Sequence, residues 1–278
     1  MRESVRWLKA IRGVVLDLDG VVYRGETPLP GAVAFLEHLR RTGLPFVFAT
    51  NNATRIPEQY AERLARMGIP VTPAQVVTSA SVAAEYLRTR VRPGTPVYAI
   101  GGEGLRSALR EAGMVLSEDP EGVAFVVVGL DVEFTYAKLR AACRAIRRGA
   151  GFVATNRDPV LPVGEDLWPG AGSLVAAIEV ATGKAPVVLG KPEPPLLEAA
   201  LRRLGVPAAE ALMIGDQLGT DIAGGVRMGM RTVLVLSGVS REAEEGGVRP
   251  DLVVEDLADL LSRWPREEGA GRESGGAQ

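Results

Sequence analysis

Short, unbroken apolar runs alternate with segments of helical period from one end of the chain to the other. The first run, "VVL" at residues 14 to 16, reads as a strand buried on both faces of a sheet. Helical patterns follow near residues 31 to 42, 57 to 67 and 80 to 90, with "PFVFATNN" as a strand between the first two. The helix at 57 to 67 has proline at its start and glycine after its end, as helix termini prefer. "RPGTPVYAIGG" is a Pro/Gly-rich connection that leads into a fresh strand. The alternation continues through "AFVVVGL" (124 to 130), a helix over 135 to 148, "GFVATN" and a helix over 172 to 182. Strands return at "PVVLG", "ALMIGD" and "RTVLVLSG", with helices over 193 to 204 and in "VEDLADLLSRW". Strands and helices in strict succession predict a parallel α/β architecture.

The interval between the "TNN" and "GKP" segments, residues 81 to 186, is too long for a crossover and carries its own strand-helix alternation. It is therefore expected to be a second domain inserted into a core made of residues 1–80 and 187–264. After Trp264 the sequence loses apolar periodicity, and residues 265–278 are expected to be disordered.

Composition removes several classes of chemistry. With 46% hydrophobic and 24% charged residues and a net charge of −2, nothing points to a nucleic acid or a membrane surface as partner. No apolar run approaches a membrane span, and "MRESVRWLKAIRG" carries no signal-peptide apolar region. A lone cysteine, Cys143, fits a reducing compartment, so the cytoplasm is the expected location. Ser-His hydrolysis or His phosphotransfer would rest on the one histidine, His38, which lies in an amphipathic helical pattern. "GGEGLRSAL" lacks the glycine spacing of a dinucleotide turn, and "GAGSLVA" is not a nucleophile elbow. The acidic residues must carry the chemistry.

Ligands of an open parallel sheet sit beyond the carboxyl ends of its strands. Past the first strand come Asp17, Asp19 and Gly20; past "FVFA" come Thr50, Asn51 and Asn52. Past "VVLG" comes Lys191, and past "ALMIG" comes Asp216, with Asp221 one turn further on. Asp17 and Asp19 are two apart, so on a strand their side chains point the same way. Carboxylates gathered together stay ionised only if a cation compensates them, and hard oxygen ligands suit magnesium. Acids with a metal, a lysine and short polar donors make a phosphate site. Lys191 is one of four lysines among 32 basic residues, a hint that a compact ammonium is needed there.

"DLDGVVYRG", "TNN", "GKP" and "GDQLGTDI" together resemble the four motifs of haloacid dehalogenase (HAD) superfamily phosphatases. With "ATNRDPVLP" and "PGAGSLVAAIEVATG", the chain is similar to the branch of NagD-type, p-nitrophenyl phosphate and phosphoglycolate/pyridoxal phosphate phosphatases. The resemblance covers nearly all of residues 12 to 264 and implies a Rossmann-like core sheet with an inserted α/β cap domain over 81–186. It implies that Asp17 is the nucleophile and that Asp19 protonates the leaving oxygen and later activates water. Thr50, Asn51 and Asn52 would bind phosphate, and Lys191 would orient nucleophile and phosphate. Asp17, the backbone carbonyl of Asp19 and Asp216 would hold Mg2+, with Asp221 supporting Asp216. Gly20 would let the chain turn and bring its N–H towards the phosphate. The loop at 155 to 162, with Asp158, is the candidate contact between cap and leaving group; turn chemistry at Asp158-Pro159 is the alternative.

The expected activity is magnesium-dependent hydrolysis of small-molecule phosphate monoesters through a phospho-Asp17 intermediate. A HAD-type phosphotransferase and a receiver-like signalling module with a phosphorylated aspartate are the rivals. The inserted segment and Asp19 favour turnover over a long-lived phosphate. Nucleotides, sugar phosphates, phosphoglycolate and pyridoxal phosphate all stay open as substrates, and a homodimer through the cap domains is compatible with the resemblance.

Overall fold

A computed structural model describes residues 5–163, 166–240 and 247–265 of the chain. Residues 266–278, most of the tail expected to be disordered, lie outside the described residues.

The architecture is two parallel sheets flanked by helices. The larger has six strands in the order Leu252–Val254, Arg231–Val235, Ala211–Gly215, Gly13–Leu16, Phe46–Thr50 and Val76–Thr78. Every pairing in it is parallel. Its central strand Gly13–Leu16 is wholly buried, which explains the unbroken apolar run. Val14 and Leu16 pack into one apolar cluster with Phe35, Leu36 and Leu39 of the helix Ala32–Arg41. Val15, on the opposite side of the pleat, joins a second cluster with Leu196, Leu197 and Ala200 of the helix Pro194–Leu204.

The smaller sheet has five parallel strands, Val187–Val188, Gly151–Ala154, Phe125–Val128, Pro96–Ile100 and Val115–Leu116. It is not attached through linkers alone. The cluster around Val15 also takes in Val97, Val127 and Val153 of the smaller sheet, Leu189 just past its strand Val187–Val188, and Leu105 and Leu109 of the helix Glu103–Glu111.

The expected core–cap boundaries meet this structure at two particular places. The first falls within the helix Ser79–Arg88, which contacts both Pro194–Leu204 and Glu103–Glu111. The second precedes Val187–Val188, which pairs with Gly151–Ala154 of the smaller sheet.

The helices anticipated from apolar period lie close to their expected limits, as in Pro57–Arg66 and Tyr136–Arg147. The hairpins Tyr23–Arg24 with Thr27–Pro28, and Val160–Val163 with Asp166–Pro169, were not anticipated. The second has an exposed outer strand in which Leu167 and Trp168 face solvent, so no buried period marks it. His38 is partly covered by Trp264, at 6.2 Å between ring centroids, and Cys143 is buried in the cluster of the smaller sheet. No described helix is long and apolar enough to cross a membrane.

Candidate active site

Strand register assembles the site. Leu16 stands opposite Ile214 on one side and Phe48 on the other. One step beyond, the chain delivers Asp17 between Gly215 and Ala49, so that Asp17, Asp216 and Thr50 emerge from three adjacent strand ends. The Asp17 amide still donates to Ile214 O at 2.9 Å, which holds this residue to the end of the sheet. Lys191 arrives from the smaller sheet, just past Val187–Val188, and is 2% exposed. Its Nζ lies 2.7 Å from Asp17 Oδ1, 2.7 Å from Asp221 Oδ1 and donates to Ala49 O at 2.7 Å. An ammonium has three protons to donate, and three oxygens surround this one.

Burial pushes the Asp17 carboxyl up to about 7, with Lys191 opposing the rise and Asp221 adding to it. Burial would by itself lower the Lys191 ammonium, but Asp17 and Asp221 outweigh it and hold the lysine charged. Asp17 is thus a buried acid whose ionised form is favoured by one neighbouring cation.

Ligand oxygens of Asp17, Asp216 and Asp221 all lie within 4.8 Å of one another. Asp221 sits on the single wide turn Leu218–Ile222, and its Oδ2 accepts the amides of Asp216 and Gln217, each at 3.1 Å. Its Oδ2 is therefore taken by backbone, while its Oδ1 faces the Lys191 ammonium as an ion pair. Asp216 Oδ2 accepts the Val239 amide at 2.7 Å, whereas Asp216 Oδ1 is buried with no hydrogen-bond partner among the described residues. Burial, then Asp221 and Asp17, hold the Asp216 carboxyl well above the usual range. One ammonium against three buried carboxylates leaves negative charge uncompensated, and among the described residues no donor meets Asp216 Oδ1. That is a donor set of hard anionic oxygens that fits a divalent cation such as magnesium.

Gly20 has φ +81°, and a Cβ there would stand 2.4 Å from Asp216 Oδ2. The residue is thus required for close approach of the first and last motifs. Its amide, expected to face the phosphate, instead donates to Tyr23 O at 2.9 Å because the loop closes on itself. Asp19 is half-buried beside that turn. Burial raises its carboxyl, while Arg63, Arg55, Lys191 and a hydrogen bond from Asn52 pull the other way. Arg63 and Arg55 were not anticipated. Arg63 is buried on the helix Pro57–Arg66, 4.3 Å over the Tyr23 ring, and donates to Gly25 O at 2.5 Å. Its place on the same face as Tyr60 and Leu64 was the available signal, since a charged residue within an apolar stripe needs a partner.

The "TNN" segment divides its work. Thr50 Oγ1 accepts the Asn52 amide at 3.1 Å, and Asn52 Oδ1 accepts from Thr54 N and Oγ1 at 3.1 and 2.7 Å. Asn51, expected to bind phosphate, spends its side chain on protein partners. Its Nδ2 donates to Lys191 O at 2.9 Å and to both oxygens of Asp158 at 3.1 Å, and its Oδ1 accepts the Lys191 amide at 2.7 Å. Its backbone carbonyl accepts from Ser79 Oγ at 2.6 Å and Asn156 Nδ2 at 2.8 Å, two buried residues that were not singled out. Asp158, expected near a leaving group, has both carboxylate oxygens on Asn51. Desolvation lifts its carboxyl to about 6 against the Asn51 hydrogen bond. The carboxyl ends of the two sheets therefore meet at one place, with the acids on one side and the 155–158 loop on the other.

Residues 14–115 match the family of haloacid dehalogenase-like hydrolases, and residues 188–260 match a HAD-hydrolase-like family. The acid sugar phosphatase of Staphylococcus aureus is 40% identical over 257 residues, covering 92% of this chain and 98% of its own. The 4-nitrophenylphosphatase of Thermotoga maritima superposes with a TM-score of 0.87 at 34% identity, over 93% of this chain and 99% of that one. Glycerol phosphate phosphatase of Mycobacterium tuberculosis, solved in complex with magnesium, gives 0.83 at 38% identity over 91% and 77%. With its parallel sheets and converging strand ends, the chain belongs to the haloacid dehalogenase-like hydrolases and is a phosphatase of their NagD and p-nitrophenyl phosphatase branch, acting on phosphate monoesters.

Proposed function

We propose that the protein is a magnesium-dependent phosphatase of small phosphate monoesters that works through a phosphoryl group carried on Asp17. The observation that supports this most strongly is the placement of Lys191 Nζ 2.7 Å from Asp17 Oδ1, inside a buried group of acids. The ammonium favours the ionised, attacking form of Asp17 against the burial that opposes it, and it can also receive a phosphate dianion. Asp17 and Asp216, with the backbone carbonyl of Asp19, would hold the magnesium. Bound there, the ion would offset the negative charge of acids and phosphate and polarise the phosphoryl oxygens.

In the first step an Asp17 carboxylate oxygen attacks phosphorus, the phosphorus–ester oxygen bond breaks, and Asp19 gives its proton to the departing alkoxide. In the second step water attacks the phosphorus of phospho-Asp17 while Asp19 takes a proton from it. The phosphorus–Asp17 bond breaks, inorganic phosphate leaves, and both carboxyl groups return to their starting states. The raised affinity of Asp19 for its proton suits the first role, and its loss of that proton prepares the second. Asp221 holds Lys191 and the Asp216 loop in place throughout. The names of the relatives, an acid sugar phosphatase and a glycerol phosphate phosphatase, make sugar and polyol phosphates the first esters to try. Phosphate release from such a panel should require magnesium and stop in excess chelator; full turnover in chelator, with no metal by elemental analysis, would sink the assignment.

A further inference from the structure

We infer that Asp158 is a positioning residue that couples the 155–158 loop to Lys191 through the side chain of Asn51. The inference rests on the phosphatase reading above, in which Lys191 serves Asp17. The chain of contacts is short, and buried from Asn51 inward: Asp158 to Asn51 at 3.1 Å, then Asn51 to the Lys191 peptide at 2.9 and 2.7 Å, then Lys191 Nζ to Asp17 at 2.7 Å.

The asymmetry of the carboxamide gives Asp158 its leverage. Asn51 Nδ2 has two protons; one meets Lys191 O and the other faces the Asp158 carboxylate. Turning the amide over would set Asn51 Oδ1 against two acceptors and Nδ2 against the Lys191 N–H. The Lys191 peptide already asks for this orientation, and the Asp158 carboxylate adds a second acceptor on the same side that holds the carboxamide in it. Neither end of the link is free to wander. A Cβ at Gly190 would stand 2.5 Å from Asn51 Oδ1, so glycine lets Asn51 lie flat against this peptide. On the other side the Gly172 amide donates to Asp158 O at 2.9 Å, and a Cβ at Gly170 would come within 2.2 Å of that oxygen. The start of the helix Ala171–Thr182 thus fixes the loop.

A contact with the leaving group would need Asp158 to turn away from Asn51, and a carboxylate there would repel the incoming phosphate. Coupling makes a different demand. Misplacing an ammonium that must serve every substrate lowers turnover for every ester alike, leaving their ranking untouched.

The test is Asp158→Asn, which keeps the shape and removes the charge, measured over several phosphate esters. We expect kcat to fall roughly tenfold or more by a similar factor on each, with KM within about twofold. On an Asn51→Ala background the same change should cost nothing further, because the two act in series. Amide exchange at Lys191, whose N–H is held by Asn51 Oδ1, should speed up in Asp158→Asn, and this readout stands even if no ester proves to be a substrate. Unchanged kcat and exchange, a changed ranking among esters, or a loss that multiplies with Asn51→Ala would overturn the inference. Should Asn51→Ala fail to fold, the uniformity of the single variant and its exchange decide the matter.

Discussion

Lys191 and Asp221 form an ion pair at 2.7 Å with side chains only 2% and 1% exposed. Neither residue attacks phosphorus or carries a proton in the proposed steps, yet the pair joins the two sheets beside Asp17. Asp221 binds the Asp216 loop by its other oxygen, and Lys191 carries the second contact to Asp17. Asp221→Asn would turn an amide NH2 towards the ammonium or take an acceptor away from the two backbone amides. Breaking a buried pair in this way costs about 3–5 kcal/mol. Calorimetry should show a clearly lower Tm, with activity lost at temperatures where the wild-type chain is folded.

Stability of the metal-free protein should fall as pH rises towards neutrality. Burial lifts Asp17 from its ordinary 3.8 to about 7, so the folded chain keeps a proton that the unfolded chain has released. Asp216 is raised in the same direction. A group of this sign stabilises fully below its unfolded value, and the contribution is lost as pH climbs through the folded one. In chelator, Tm should therefore drop between about pH 4 and 7 by this linkage. Magnesium should oppose the drop, because it favours the ionised acids that pH creates. A Tm that rises over this range in chelator would show that the acids are not held protonated in the fold.

Gly20→Ala combines a strained conformation with a collision. An L-residue in the left-handed region costs about 1–2 kcal/mol, and the new methyl would meet Asp216 Oδ2. The carboxylate must move. Magnesium affinity by calorimetric titration should weaken along with kcat, while the far-UV spectrum stays that of the folded protein.

The sequence made the strand ends readable because buried parallel strands leave unbroken apolar runs, and chemistry follows where each run stops. Asp17, Lys191, Asp216 and Asp221 converge as that pattern suggests, and Asp216 Oδ1 has no hydrogen-bond donor among the described residues. What Asn51 and Asp158 do was not legible. Their hydrogen bonds join residues far apart in the chain and depend on which way one carboxamide faces. The Gly20 amide was misjudged for a local reason: the Asp19–Tyr23 turn closes on it. Short strands such as Val76–Thr78, with a helix starting at once after them, carry too few residues for any period to show.

Division of labour between Asp17 and Asp19 is the central claim, and Asp19→Asn with p-nitrophenyl phosphate tests it most directly. Nitrophenolate is stable enough to leave without a proton, so Asp17 should still take the phosphoryl group, whereas sugar or alkyl phosphates should scarcely react. Lacking the group that activates water, phospho-Asp17 should accumulate. Rapid mixing should give a burst of nitrophenol approaching one per active site and then slow turnover, and mass spectrometry of the quenched protein should find the phosphoryl group on the peptide containing Asp17. Asp17→Asn should give neither. No burst and no phosphopeptide from Asp19→Asn, in protein that is folded and binds magnesium, would contradict the assignment.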